Sequence, residues 1–172
     1  TSCFLETFLM DAVVKYAGAT SVSVSTGVWH HAAVTVPGFT SGNIILYLDG
    51  ALQQSNAISG GSGTTTPFNY TTIGSIWTTT PSANVKIAEC SGWDVVLNAS
   101  EIAALAKGIH AARIRPSGIV CHWPLVNDPD VQAQTSWFVK GASTLALGVL
   151  TNAPLRVADH PPVSPPYLFR QP

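Results

Sequence analysis

A chain of 172 residues with 46% apolar side chains is large enough for one domain with a proper core, but only 10% of its residues are charged against a usual ~25%. The net charge of −1 and eight scattered Lys and Arg exclude the basic stripe of a nucleic-acid binder, and no apolar run approaches the ~18 residues of a membrane span. A surface this poor in Lys and Glu is weakly protected against association, so either neighbouring subunits cover much of it or it is the Ser/Thr-rich exterior of a secreted domain.

Thr1 to Met10 lacks the charged start and long apolar core of a signal peptide. Ser21 to Val24 alternates as SVSV, and Val28 to Val36 continues the β pattern. In that second run Val28, His30, Ala32, Val34 and Val36 face one way, and Trp29, His31, Ala33 and Thr35 face the other. Pro37-Gly38 and Ser41-Gly42 mark a loop. Ile44 to Leu48 is a β-branched and apolar strand, and Asp49-Gly50 after it predicts a type I′ hairpin turn, with Ala51 to Ser55 returning as partner.

Ser59 to Thr66 (SGGSGTTT) is loop, too short to link domains. Thr71 to Trp77 is a further strand, and Val85 to Val96 the longest one. Val85, Ile87, Glu89, Ser91 and Trp93 share one of its faces, and Gly92 marks a bulge or a close backbone approach. Asn98 then caps the single helix, with Glu101 placed to answer the cap. Ile102, Leu105 and Ala106 form its apolar stripe, and Gly108 suits the C′ position. Gly118 to Leu125 is a strand closed by Pro124, and Thr135 to Val139 and Leu145 to Leu150 are weaker ones. From Ala158 five prolines forbid a ladder and favour an extended polyproline II arm. Cys3, Cys90 and Cys121 have no CxxC or Cys/His spacing. They are expected as reduced, mostly buried thilos of a reducing compartment, with a Cys90–Cys121 bridge as the alternative.

In their order and spacing, WHHAAV, LYLDG, TTIG, KIAECSGWDVVLNASEIAAL and IVCHWPL, between Trp29 and Leu125, resemble the laminin-G-like jelly roll of the concanavalin A-like lectin/glucanase superfamily. The resemblance spans a little over half of the chain. The ending ADHPPVSPP resembles the tail of small single-domain members from bacterial and bacteriophage sequences. Members of this family place several more strands before the WHHAAV strand than the 28 residues here provide. The front is then expected to be removed, shortened, or completed by a neighbouring chain through strand addition. Thr1 would also suit a natural start after loss of an initiator Met.

The resemblance implies glycans as possible ligands and glycan hydrolysis as a possible chemistry. Hydrolysis needs paired carboxylates flanking the sugar bond. The nearest strand pair, Glu89 and Asp94, falls on opposite faces, and Glu89 is expected as a structural carboxylate held by an Arg or by backbone. His30 and His31 are neighbours on a strand and cannot chelate one ion together, nor does His122 beside Cys121 offer a site. Calcium, which laminin-G-like domains bind at the rim, would find oxygen donors at Asp128 and Asp130 in the Asn127-Asp-Pro-Asp130 turn. A sugar platform would draw on Asn69, Tyr70 and Trp77, whereas Trp29, Trp93 and Trp123 are core positions.

The expected architecture is all-β, a two-sheet antiparallel jelly-roll sandwich over residues 1–157 with one short helix. An extended Pro-rich C-terminal arm follows over 158–172, offering Pro161, Pro162, Pro165, Pro166, Tyr167 and Phe169 to a partner. The expected function is non-catalytic: an assembly or decoration module on a bacteriophage virion, folded in the host cytoplasm, with other protein subunits as partners. The alternative is a carbohydrate-binding module of a bacterial or phage surface protein, and a remnant glycan hydrolase is the minor one. No cofactor is expected beyond a possible calcium ion.

Overall fold

A computed structural model describes residues 3–7, 19–38, 41–58, 86–123 and 138–139. These residues are mostly strands in antiparallel sheets with one α-helix, as the sequence predicts. They divide into two compact bodies.

The first body begins with a hairpin of β1 (Cys3–Thr7) and β2 (Ala19–Val24), in register Cys3 to Val24 with an irregularity between Leu5 and Thr7. Its three-stranded sheet runs in the order β3 (Ala32–Thr35), β4 (Asn43–Leu48), β5 (Ala51–Ala57). The central strand is buried on both faces, with Ile44 and Leu46 on one and Tyr47 on the other. Asp49 and Gly50 take φ of 51° and 80°, the double left-handed geometry that the Asp-Gly pair predicts for a type I′ turn. Two residue pairs past the turn the ladder slips: Leu46 faces Gln54 but Tyr47 faces Leu52, leaving Gln53 as the bulged residue.

The predicted strand over Val28 to Val36 shortens to β3. Gly27 turns the chain at φ 86°, and the stretch before Ala32 is held instead by side chains described below. Its alternation survives, because Ala32 and Val34 are exposed while Ala33 and Thr35 are covered.

Helix α1 (Ala99–Ala106) belongs to the same body. The Asn98 side chain accepts the Glu101 N–H at 3.0 Å, and the Glu101 carboxylate accepts the Asn98 N–H at 2.7 Å, so the predicted capping box forms. Gly108 ends the helix at φ 83°. Ile102 is fully buried, and Leu105 and Ala106 are half-buried beside it. The helix lies against the hairpin turn: a Cβ added at Gly50 would meet Ala103 Cα and Ala106 Cβ at 3.0 Å.

The second body holds β6 (Cys90–Trp93), a 3-10 turn (Ala111–Arg113), β7 (Ile119–Trp123) and β8 (Phe138–Val139), in the sheet order β6-β7-β8. The predicted strand over Val85 to Val96 is cut to four residues here. Glu89 takes φ 54°, a left-handed conformation that ends the pleat before Cys90, so the face assigned to Glu89 with Ser91 and Trp93 is not continuous. The expected irregularity at Gly92 is present: the register shifts between Gly92 and Trp93, and a Cβ at Gly92 would stand 2.9 Å from Cys121 Sγ. Trp93 is half-buried and donates from Nε1 to the Ile114 carbonyl at 2.8 Å, which satisfies its one polar atom.

Candidate functional site

Among the described residues of the first body, a dense polar arrangement is built by topology. In the β3–β4 ladder Ala32 faces Leu48, so the next pair outward is His31 and Asp49. The Asp49 N–H donates to the His31 carbonyl at 2.8 Å, and the His31 N–H donates to Asp49 Oδ1 at 2.9 Å. The other carboxylate oxygen, Oδ2, lies 2.7 Å from His30 Nδ1. His30 Nε2 in turn lies 2.8 Å from the Ser25 hydroxyl. An ionised carboxylate only accepts, so Nδ1 carries the proton, and in the neutral ring Nε2 accepts from Ser25 Oγ–H.

Desolvation alone would raise the Asp49 carboxyl, but the hydrogen bonds from His30 and His31 and the charges of both imidazoles outweigh it. The carboxyl is held below its ordinary value. His31 differs from its neighbour. Burial lowers its pKa below the usual 6.5, against the opposing charge of Asp49, and its Nδ1 is buried without a hydrogen-bond partner among the described residues. The folded chain therefore takes up the His31 proton less readily than the unfolded chain. This contribution to stability is full above pH 6.5 and is lost as pH falls below it. Urea midpoints measured at pH 7 and pH 5 are expected to fall less in His31→Phe than in the parent chain; equal falls would contradict this.

Glu89, Ser91 and His122 form a second cluster, in the other body. Ser91 sits opposite His122 in the β6–β7 ladder, and its Oγ is 2.8 Å from His122 Nδ1. His122 Nε2 is 3.6 Å from Glu89 Oε2, with both side chains largely covered. Glu89, expected to be held by an Arg or by backbone, has the His122 ring within reach. Asp94 is exposed after the strand and its N–H bonds the Gly118 carbonyl at 2.9 Å.

Cys90 and Cys121 are free thiols on neighbouring strands. Burial first, then the charges of Glu89 and Cys121, push Cys90 up to about 11 from 9.0. At pH 8 roughly one thiol in a thousand is then ionised, against about one in ten for an ordinary group. Alkylation of Cys90 in the native chain at pH 8, followed by peptide mapping, is expected to run about 100-fold slower than in urea. Equal rates would contradict the burial.

The structure joins His30, read from the sequence as a strand residue, and Asp49, read as a turn residue, to Ser25, to which the sequence assigns no role. Linear spacing carries no sign of the His30–Asp49 contact, since 19 residues separate the partners; the hairpin register reveals it. The proposed platform of Asn69, Tyr70 and Trp77, the calcium candidates Asp128 and Asp130, and the arm from Pro161 to Phe169 lie outside the described residues. So do the predicted Thr71 to Trp77 and Leu145 to Leu150 strands and the Ser59 to Thr66 loop.

Among known families, the model described as the concanavalin A-like lectin/glucanases superfamily matches residues 7–103, more than half of the chain. The chain belongs to this superfamily. As a laminin-G-like member it carries antiparallel strands, the Asp-Gly hairpin and the capped helix. No curated protein and no solved structure gave a significant match. The matched span starts within β1 and ends inside α1, so it contains the whole Ser25–His30–Asp49 arrangement and stops before Ser91's partner His122 in sequence.

Proposed function

We propose that this laminin-G-like domain is a β-sandwich module that attaches to protein surfaces, in assembly or decoration of the kind a bacteriophage virion uses, with further copies of itself as first partners. One observation carries the reading. β3 stands at an edge of the described β3–β4–β5 sheet, and Val28 to Val36 contains no Lys, Arg, Asp or Glu. Val34 of β3 is 46% exposed, and Val28, in the stretch before it, 64%. Edges left to face water are guarded by charge, most often Lys, and this one is aliphatic. The charged content of 10% over the whole chain agrees with a surface made to be covered.

Sedimentation across a range of concentrations is expected to show self-association, and Val34→Lys is expected to shift it to monomer. A chain that stays monomeric at every concentration overturns the self-assembly reading. The superfamily also contains lectins, which favours glycan binding as the second reading, with Asn69, Tyr70 and Trp77 as platform and calcium at Asp128 and Asp130. A glycan array run with and without EDTA decides it: binding that EDTA abolishes supports the lectin, and silence removes it. The setting would be the virion surface in the first reading and the bacterial cell surface or extracellular space in the second.

A further inference from the structure

We propose that Ser25 is an activated nucleophile, with His30 as its general base and Asp49 as the positioning carboxylate, able to accept an acyl group from a small carboxylic ester with a good leaving group. The proposal concerns a different surface chemistry from attachment and stands or falls independently of it.

Three observations carry it. The contacts have the polarity that activation requires: Asp49 on Nδ1 at 2.7 Å and Ser25 on Nε2 at 2.8 Å, at opposite corners of the ring. The proton of Ser25 can then move to Nε2 while Nδ1–H keeps its carboxylate partner. The carboxylate is also fixed. Asp49 sits in a two-residue turn, and its backbone N–H and Oδ1 are both bonded to His31, so one rotamer presents Oδ2 to His30. Finally, the nucleophile is reachable. Ser25 is exposed, and two residues on, Gly27 turns at φ 86° with nothing within 4 Å of the place a Cβ would occupy, among the described residues.

In the step proposed, Ser25 Oγ attacks the ester carbonyl carbon. The Oγ–C bond forms as the carbonyl π pair moves to oxygen, and His30 Nε2 takes the Oγ proton. The carbonyl then reforms, the bond from carbon to the leaving oxygen breaks, and the proton on Nε2 passes to that oxygen. The products are acyl-Ser25 and an alcohol, with neutral His30 restored. Water then attacks the acyl carbon as His30 Nε2 takes its proton, the Oγ–C bond breaks, the proton passes to Ser25 Oγ, and the carboxylic acid leaves.

The Ser91–His122–Glu89 cluster is an internal control. There the serine bonds Nδ1, the carboxylate is 3.6 Å from Nε2, and the parts are half-buried, so it should stay unlabelled.

The test is incubation of the full chain with p-nitrophenyl acetate, read by nitrophenolate release, intact mass and peptide mapping. The expected result is one acetyl group per chain, on Ser25, with a stoichiometric burst. Ser25→Ala should abolish it, and His30→Gln should slow it about 100-fold or more, the lower range for a general base. Thermal melting confirms that both variants are folded. Acetylation absent from Ser25, or present there at an unchanged rate in His30→Gln, overturns the proposal and leaves the three residues as a hydrogen-bonded clip.

Discussion

Gly50→Ala is expected to destabilise the chain by about 3 kcal/mol. Two costs combine. An alanine at φ 80° occupies the left-handed region at about 1–2 kcal/mol. Its Cβ would also stand 3.0 Å from Ala103 Cα and Ala106 Cβ, and forcing a methyl against helix backbone costs about 1–3 kcal/mol. Urea unfolding should show a lower midpoint at an unchanged slope. Gly50→Asn separates the two costs, because asparagine tolerates the left-handed backbone but brings the same Cβ. It should recover only part of the loss. A Gly50→Ala chain within about 0.5 kcal/mol of the parent, the spread of ordinary surface changes, would mean that the helix does not rest on the turn.

Ile102→Ala is expected to cost about 3–4 kcal/mol. Ile102 is 2% exposed, and removing its buried methyl groups loses transfer energy and leaves a cavity. Leu105→Ala, on the same stripe but half-buried, should cost clearly less. The two sites share neighbours on one helix, so the double variant Gly50→Ala with Ile102→Ala should fall short of the sum. A helix already loosened by the cavity can move away from the intruding methyl. Additive losses would place the two effects in separate regions of the body.

Local signals were the ones legible in the sequence. Asp49-Gly50 predicts its turn because few residue pairs accept two left-handed positions in a row. Asn98 with Glu101 predicts its cap because the partners lie three residues apart and meet whatever the rest of the chain does. Gly92 announced the close approach of another strand, though not that Cys121 would be the neighbour. What failed was length. Val28 to Val36 and Val85 to Val96 both read as long strands, since period-two alternation says nothing about a single residue that turns left-handed. Glu89 does so within the second, and in the first His30 and His31 bond the Asp49 carboxylate instead of continuing the ladder. The Ser25–His30–Asp49 contact was invisible for a different reason. It depends on which residue of β3 faces which residue of β4, and the alternation fixes faces rather than register.

The placement of α1 on the Asp49-Gly50 turn has a consequence for how the first body acquires its structure. The β4–β5 hairpin and the capped helix are each closed by near neighbours in sequence, so each can form early and repeatedly at small entropic cost. Their meeting joins segments about fifty residues apart, and closing that loop is the expensive event. The glycine at the turn is where that closure is decided, because a side chain there would tax the docked state while leaving the isolated hairpin almost untouched. Unfolding of this body should accordingly begin with the helix leaving the turn, ahead of any loss of the hairpin itself.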